Sequence, residues 1–225
     1  MSNDMVPADI AALINQQAPS ADLDAAGKSD AFLPRIQFMS ARSGLCEDGT
    51  FPVNHFNLIS GQSNEDAGET VDALVMGVRS KAMDTSGDEL IITYEPKPDD
   101  SGAATGIFRD IQVKSDTTKN SGCMYGLEFL IWVPSKKTFA TFFMGTNSLR
   151  RDSPTLRARI GKPVTLISYK AKTKKFQWMT AKGVDCTTPF EPPTKEAVIK
   201  AFEEFNNPKT TELAPVAEGE ATRER

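Results

Sequence analysis

The sequence predicts a mainly β protein built on one small closed barrel, and three features lead there. Two strand pairs stand out: Met124–Val133 with Thr138–Gly145, and Pro163–Lys172 with Lys175–Gly183. Each pair is joined by a tight polar turn, Pro134-Ser135-Lys136-Lys137 in the first and Lys172-Thr173-Lys174 in the second. Between the pairs lies a polar, basic stretch from Asn147 to Gly161 that reads as a helix. An earlier long apolar run, Val71–Met83, supplies one more strand. Three strands, a helix and two strands is the order of the five-stranded oligonucleotide/oligosaccharide-binding (OB) barrel. The expected fold is therefore a five-stranded OB-fold barrel with a helix between strands three and four, an insertion after strand one and a C-terminal helix.

Taken in order, residues 1–30 are rich in Ala, Asp, Ser and Gln and read as a flexible arm. Within it, Ile10, Leu13 and Ile14 are spaced for one or two amphipathic turns. Phe32–Met39 and Phe51–Ile59 are short apolar runs separated by the turn dipeptides Ser43-Gly44 and Asp48-Gly49, which suits a hairpin-like lead-in packed on the barrel. Gly61–Gly68 reads as a polar loop. In the strand Val71–Met83, Gly77 fits a bulge or bend where a first barrel strand curls. Residues 84–122 form the insertion, with a short β-branched strand at Leu90–Tyr94 and a helix or strand at Gly106–Lys114.

Alternation gives the strand Met124–Val133 two faces. Tyr125, Leu127, Phe129, Ile131 and Val133 make a core face, and Glu128 on the other face points that side to solvent. After an extended linker, Thr194 is a suitable N-cap, and Ala197, Val198, Ala201, Phe202 and Phe205 recur at helical spacing. Asn206-Asn207-Pro208 ends that helix, whose apolar stripe is expected to dock on the barrel. The domain scheme is an arm over 1–30, a barrel domain over 31–208 and a disordered tail over 209–225.

The charge is segregated. The chain of 225 residues carries a net charge of -4, yet residues 147–182 hold ten bases and the single acid Asp152. A polyanion responds to that local field rather than to the sum. The chain has no apolar run of about 18 residues, so no transmembrane helix is expected, and no membrane is counted among the partners. Its start lacks the basic and apolar regions of a secretory signal. Three widely spaced cysteines make no disulfide framework, which suits a reducing compartment.

No Ser/His/Asp arrangement, phosphate-binding Gly loop or HExxH motif occurs, so no enzyme and no cofactor are expected. Cys46, His55, Cys123 and Cys186 contain the residue types of a Cys3His zinc site, but no close CxxC pair supports it. Buried thiols are the simpler reading, since Cys packs as a small hydrophobe.

The pattern that does point to chemistry interleaves rings with bases. Single strands bind along basic grooves with bases stacked on aromatic side chains. Trp132, Phe139 and Phe142 fall on the second and third strands, followed by Arg150, Arg151, Arg157 and Arg159. Lys170, Lys172, Lys174 and Lys175 ring the last hairpin beside Phe176 and Trp178. In an OB barrel these strands and that loop form the binding surface. The lysines suit an edge guard on a hairpin as well, and about half of the rings suit the core.

Phe32-Leu33-Pro34-Arg35-Ile36-Gln37, Ser121-Gly122-Cys123-Met124-Tyr125-Gly126, Phe139–Met144 and the Phe190–Pro208 close together resemble single-stranded DNA-binding proteins of tailed bacteriophages. The resemblance covers residues 31–208. It implies an OB fold and a dimeric or cooperative coat on single-stranded DNA. It also implies a role in phage replication or recombination within the cytoplasm of the infected host cell, and replication proteins as partners. Many such proteins end in an acidic tail with a hydrophobic tip. This tail departs from that, mixing Glu212, Glu218, Glu220 and Glu224 with Lys209, Arg223 and Arg225 and ending without Phe. Phosphate contacts and stacking also tolerate duplex DNA and RNA. The competing expectation is a non-enzymatic virion or adaptor protein that uses the barrel for protein contacts.

Overall fold

A computed structural model of the chain describes residues 6–16, 33–41, 43–61, 63–87, 90–95, 102–118, 121–145, 151–172, 177–189 and 191–207. Among these, residues 6–79 and 126–207 form one compact unit and residues 80–125 another. The strands are β1 (Arg35–Phe38), β2 (Phe56–Ser60), β3 (Ser63–Gly68), β4 (Thr70–Asp84), β5 (Ile91–Tyr94), β6 (Cys123–Val133), β7 (Thr138–Gly145), β8 (Pro163–Lys172) and β9 (Gln177–Asp185). The helices are α1 (Ala8–Gln16), α2 (Gly44–Glu47), α3 (Gly102–Thr117), α4 (Ser153–Arg157) and α5 (Lys195–Asn206).

The five-stranded closed barrel is not what forms. The nine strands make a mixed, open sheet in the order β3-β2-β1-β7-β6-β4-β8-β9, with β5 paired to β4. The cause is visible at β7. One edge of β7 pairs with β6, and β1 adds in parallel to the other, placing Arg35 opposite Thr141 and Ile36 opposite Phe142. In an OB barrel that second edge belongs to the last strand. Here β1 takes that edge at Thr141 and Phe142, and the ladder runs outward through β2 and β3 instead of closing. β1 and β2 do pair as an antiparallel hairpin, from Arg35–Ile59 to Phe38–Phe56. Residues 63–68, expected as loop, are the polar outermost strand of that end, and the acids Glu65 and Asp66 stand exposed on it.

Two apolar clusters cover the two faces of the sheet in the larger unit. Leu127, Phe129, Ile131 and Val133 of β6 join Val71, Ala73 and Val75 of β4 in the first, together with Phe56, Phe142, Val164 and Leu166. Leu156 of α4 is fully buried in the same cluster. Among the described residues, the stretch between β7 and β8 holds the five-residue helix α4, with Pro154 in its first turn, and Gly161 at φ +80° closes the turn that follows. Gly183, expected to end its strand, lies inside β9. A Cβ there would meet Leu156 Cδ1 at 2.6 Å.

The second cluster overturns the expectation of a solvent face on β6. Leu74, Met76, Leu130 and Trp132 are covered by α5, whose Val198, Ala201, Phe202 and Phe205 are buried at i, i+3, i+4 and i+7. Thr194 caps α5, its side chain accepting from the Ala197 amide at 3.3 Å. Gly77 serves this docking, because a Cβ there would stand 3.1 Å from Phe202 Cε1. Helix α1 contributes buried Ile10 and Ile14 to the same cluster, so residues 8–16 are a docked helix and not part of a flexible arm.

Glu128 is therefore buried, with its side chain 3% exposed. Arg79 answers it, donating from Nε at 2.7 Å and from Nη2. The same guanidinium donates to the Phe205 carbonyl and stands 4.1 Å from the Phe205 ring centroid. One cation thus satisfies a buried carboxylate and the end of α5 together, as a buried charge requires.

In the smaller unit the end of β4 pairs with β5, from Lys81–Tyr94 to Asp84–Ile91. Helix α3 buries Phe108 and Ile111 against Ala82 and Cys123, with Phe108 edge-on to Tyr125 at 5.9 Å. The segment left open between helix and strand at Gly106–Lys114 is thus helical.

Candidate nucleic-acid interface

The basic stretch acquires its geometry from one antiparallel ribbon and the turn that feeds it. In β8 and β9, Ile167 pairs with Lys182, Tyr169 with Thr180, Ala171 with Trp178 and Lys172 with Gln177. Because successive side chains alternate faces, Tyr169 shares a face with Lys182, one diagonal step away. The Lys182 ammonium lies 4.6 Å from the Tyr169 ring centroid. Arg151, just ahead of α4, brings its guanidinium carbon to 5.2 Å from the same centroid. These are cation–π distances.

Asp152 ties the group together. Its Oδ1 accepts the Tyr169 hydroxyl at 2.7 Å, and its Oδ2 accepts Arg151 Nη2 at 2.7 Å. Arg151 Nε reaches both carboxylate oxygens at 3.1 Å. The Asp152 side chain is 7% exposed and that of Arg151 is 35% exposed. Hydrogen bonding to Asp152 raises the Arg151 guanidinium above its ordinary value, with burial opposing. Burial first, then Asp152, pushes the Tyr169 hydroxyl up to about 12. The ring therefore stays a neutral donor, and the cation beside it stays charged.

The expected binding residues separate into distinct places. Trp132 is 9% exposed, packs at 4.9 Å on half-buried Phe139 and donates from Nε1 to the Glu191 carbonyl at 3.2 Å. Phe142 is 3% exposed within the first core cluster. Neither ring can stack on a base, because the faces that would do so are in van der Waals contact with the core. Arg151, Arg157, Lys170 and Lys172 are exposed. Arg159 is half-buried, donating to Asp185 Oδ1 at 2.9 Å and to the Thr155 carbonyl at 3.0 Å. Lys170 and Lys172 sit on the face of β8 opposite Tyr169, so the ribbon carries positive charge on both faces rather than along one trough. Arg150, Lys174, Lys175, Phe176 and the side chain of Trp178 lie outside the described residues.

Sequence reasoning passed over Tyr169, Lys182 and Asp152 as site residues. Tyr169 stood one residue from a selected lysine, and Asp152 was noted only as the sole acid among ten bases. Alternation along Ile167–Lys172 was the usable signal for Tyr169. The contact with Arg151 spans a turn and had no local signal.

The zinc candidates have other neighbours. The Cys46 sulfur faces the Pro52 carbonyl at 3.7 Å and the Cys186 sulfur faces that of Thr188 at 3.6 Å. His55 Nδ1 meets the Asp66 carboxylate at 2.9 Å, and burial raises the Cys123 thiol above its ordinary value. Among the described residues no group of three or more His, Cys, Asp or Glu side chains is placed to hold a metal ion. No helix among them is long and apolar enough to cross a membrane. Comparison with protein-family models, curated proteins and solved structures finds no match for this chain.

Proposed function

We propose that this chain is a non-enzymatic protein that binds single-stranded DNA with little sequence preference, coating and protecting it during phage DNA replication or recombination. The observation that supports this reading most is the half-exposed Tyr169 ring with Arg151 and Lys182 at cation–π distance, on a ribbon whose other face carries exposed Lys170 and Lys172. Exposed cations neutralise phosphates, and an aromatic ring beside them serves bases of any identity. Binding as a homodimer or a cooperative array, and recruitment of replication proteins, belong to the same proposal.

The test is fluorescence anisotropy with labelled oligo-dT, duplex DNA and RNA at two salt concentrations. Three to five phosphate contacts predict a log–log salt slope on the order of -2 to -3.5 for a single strand. Oligo-dT is expected to bind tightest. No binding to any of the three at low salt overturns the proposal.

A second reading, an adaptor acting through protein contacts, is favoured by the exposed Ile91, Ile107, Val113 and Met124 of the smaller unit. It predicts a stable complex with another protein and no shift of any oligonucleotide.

A further inference from the structure

Asp152 occupies the N-cap position of α4, where an aspartate usually accepts a backbone amide of the first helical turn. Its side chain makes no such bond. Both oxygens are turned instead to Arg151 and to the Tyr169 hydroxyl. The carboxylate is nearly sealed from solvent, and it is the only acid within the basic stretch of residues 147–182. A bystander acid in a basic patch would normally face water. This one is held where it fixes two side chains at once.

The arrangement constrains direction as well as distance. The Arg151 fork approaches through Nε and Nη2, so the guanidinium plane is set by the carboxylate. The Tyr169 ring is anchored at its hydroxyl end, which holds it at cation–π distance from Arg151 and Lys182. Asp152 thus ties the cation and the ring to one carboxylate.

We infer that Asp152 is a positioning residue of the nucleic-acid site: it orients Arg151 and Tyr169 for the backbone and bases of a single strand. This rests on the binding reading above. Its sign separates it from simple electrostatics. Removing an acid from a basic patch should tighten binding to a polyanion if the acid is only a bystander or a competitor for Arg151. Removing a positioning residue should weaken binding although the patch becomes more positive.

The experiment measures the Kd for oligo-dT by anisotropy, with thermal unfolding alongside, in the wild-type chain, Asp152→Asn, Tyr169→Phe and the double variant. The amide of Asp152→Asn still accepts the tyrosine hydroxyl but cannot pair with the guanidinium as an anion. Binding is expected to fall about five- to twentyfold in Asp152→Asn. The double variant should bind no worse than about twofold below the weaker single, since both substitutions break one unit. Folded Asp152→Asn that binds as tightly as wild type, or tighter, overturns the inference while leaving the binding reading intact. Should Asp152→Asn not fold, Tyr169→Phe decides. It keeps the ring and the ion pair, so weakened binding upholds the inference and unchanged binding overturns it. A wild-type chain that binds no oligo-dT removes both readings together.

Discussion

Replacing Glu128 with leucine takes the anion out of the pair beneath α5 and removes a carboxylate partner of the Arg79 guanidinium. The carboxylate is 3% exposed and the guanidinium 17% exposed, so water cannot freely replace the lost partner. Removing one member of a buried pair costs about 3–5 kcal/mol. Arg79 keeps the Phe205 carbonyl and ring, which places the expected loss near the lower end, about 3 kcal/mol. For a chain of this size that lowers the midpoint of thermal unfolding by about 6–12 °C. It also lowers the urea midpoint by roughly 1–1.5 M. The assay is urea unfolding followed by circular dichroism and by tryptophan fluorescence. The second arm is Arg79→Met with Glu128→Leu, which removes both charges and fills the space with apolar atoms. That double variant should return to within about 1 kcal/mol of wild type, because the penalty lies in the unpaired charge rather than in the lost attraction. A double variant as unstable as Glu128→Leu alone, or a single variant that loses less than 1 kcal/mol, would refute the reasoning.

Gly126→Ala should prevent normal folding or lower expression sharply, because its Cβ would lie 2.2 Å from the Met144 carbonyl oxygen, a backbone atom that the β6–β7 ladder holds in place. Circular dichroism of the purified variant checks this, and a native spectrum and melting point would contradict it. Thr194→Ala removes the cap of α5 and should cost about 1 kcal/mol, read as a small fall in the urea midpoint with an unchanged slope. The raised Tyr169 hydroxyl links stability to alkaline pH. Its folded value of about 12 exceeds the unfolded tyrosine value of 10.0, so its contribution is complete below pH 10 and is lost as pH rises towards 12. Ultraviolet titration of wild type against Tyr169→Phe should show one late-titrating tyrosine disappear, and Asp152→Asn should bring that titration to lower pH.

Local chemistry was legible wherever it repeats along the chain. The alternation in β6 identified Tyr125, Leu127, Phe129, Ile131 and Val133 as a core face; the last four are buried together, and Tyr125 is half-buried against Phe108. The bounds of β8 and of the β6–β7 pair were readable to within a residue, because turn residues flank apolar runs there. Thr194 and the stripe through Phe205 announced α5. The candidate site was legible only as a basic neighbourhood. Tyr169 was not singled out, whereas Trp132 and Phe142 were, since a core aromatic has the same local pattern as a surface one.

The strands β4 and β6 to β9, the helix α5 with its Thr194 cap and the segregation of charge were determined by the sequence alone, because they depend on residues a few positions apart. Tertiary structure decided which edges met. Every strand edge offers the same amides and carbonyls, so nothing local states that β1 takes the free side of β7 and leaves the sheet open. It likewise decided that α5 would cover the second face of β6, which buried Glu128 with Arg79 and sealed Trp132 inside. And only the folded chain brings Arg151, Asp152, Tyr169 and Lys182 together, since an ion pair and a ring contact follow from proximity in space.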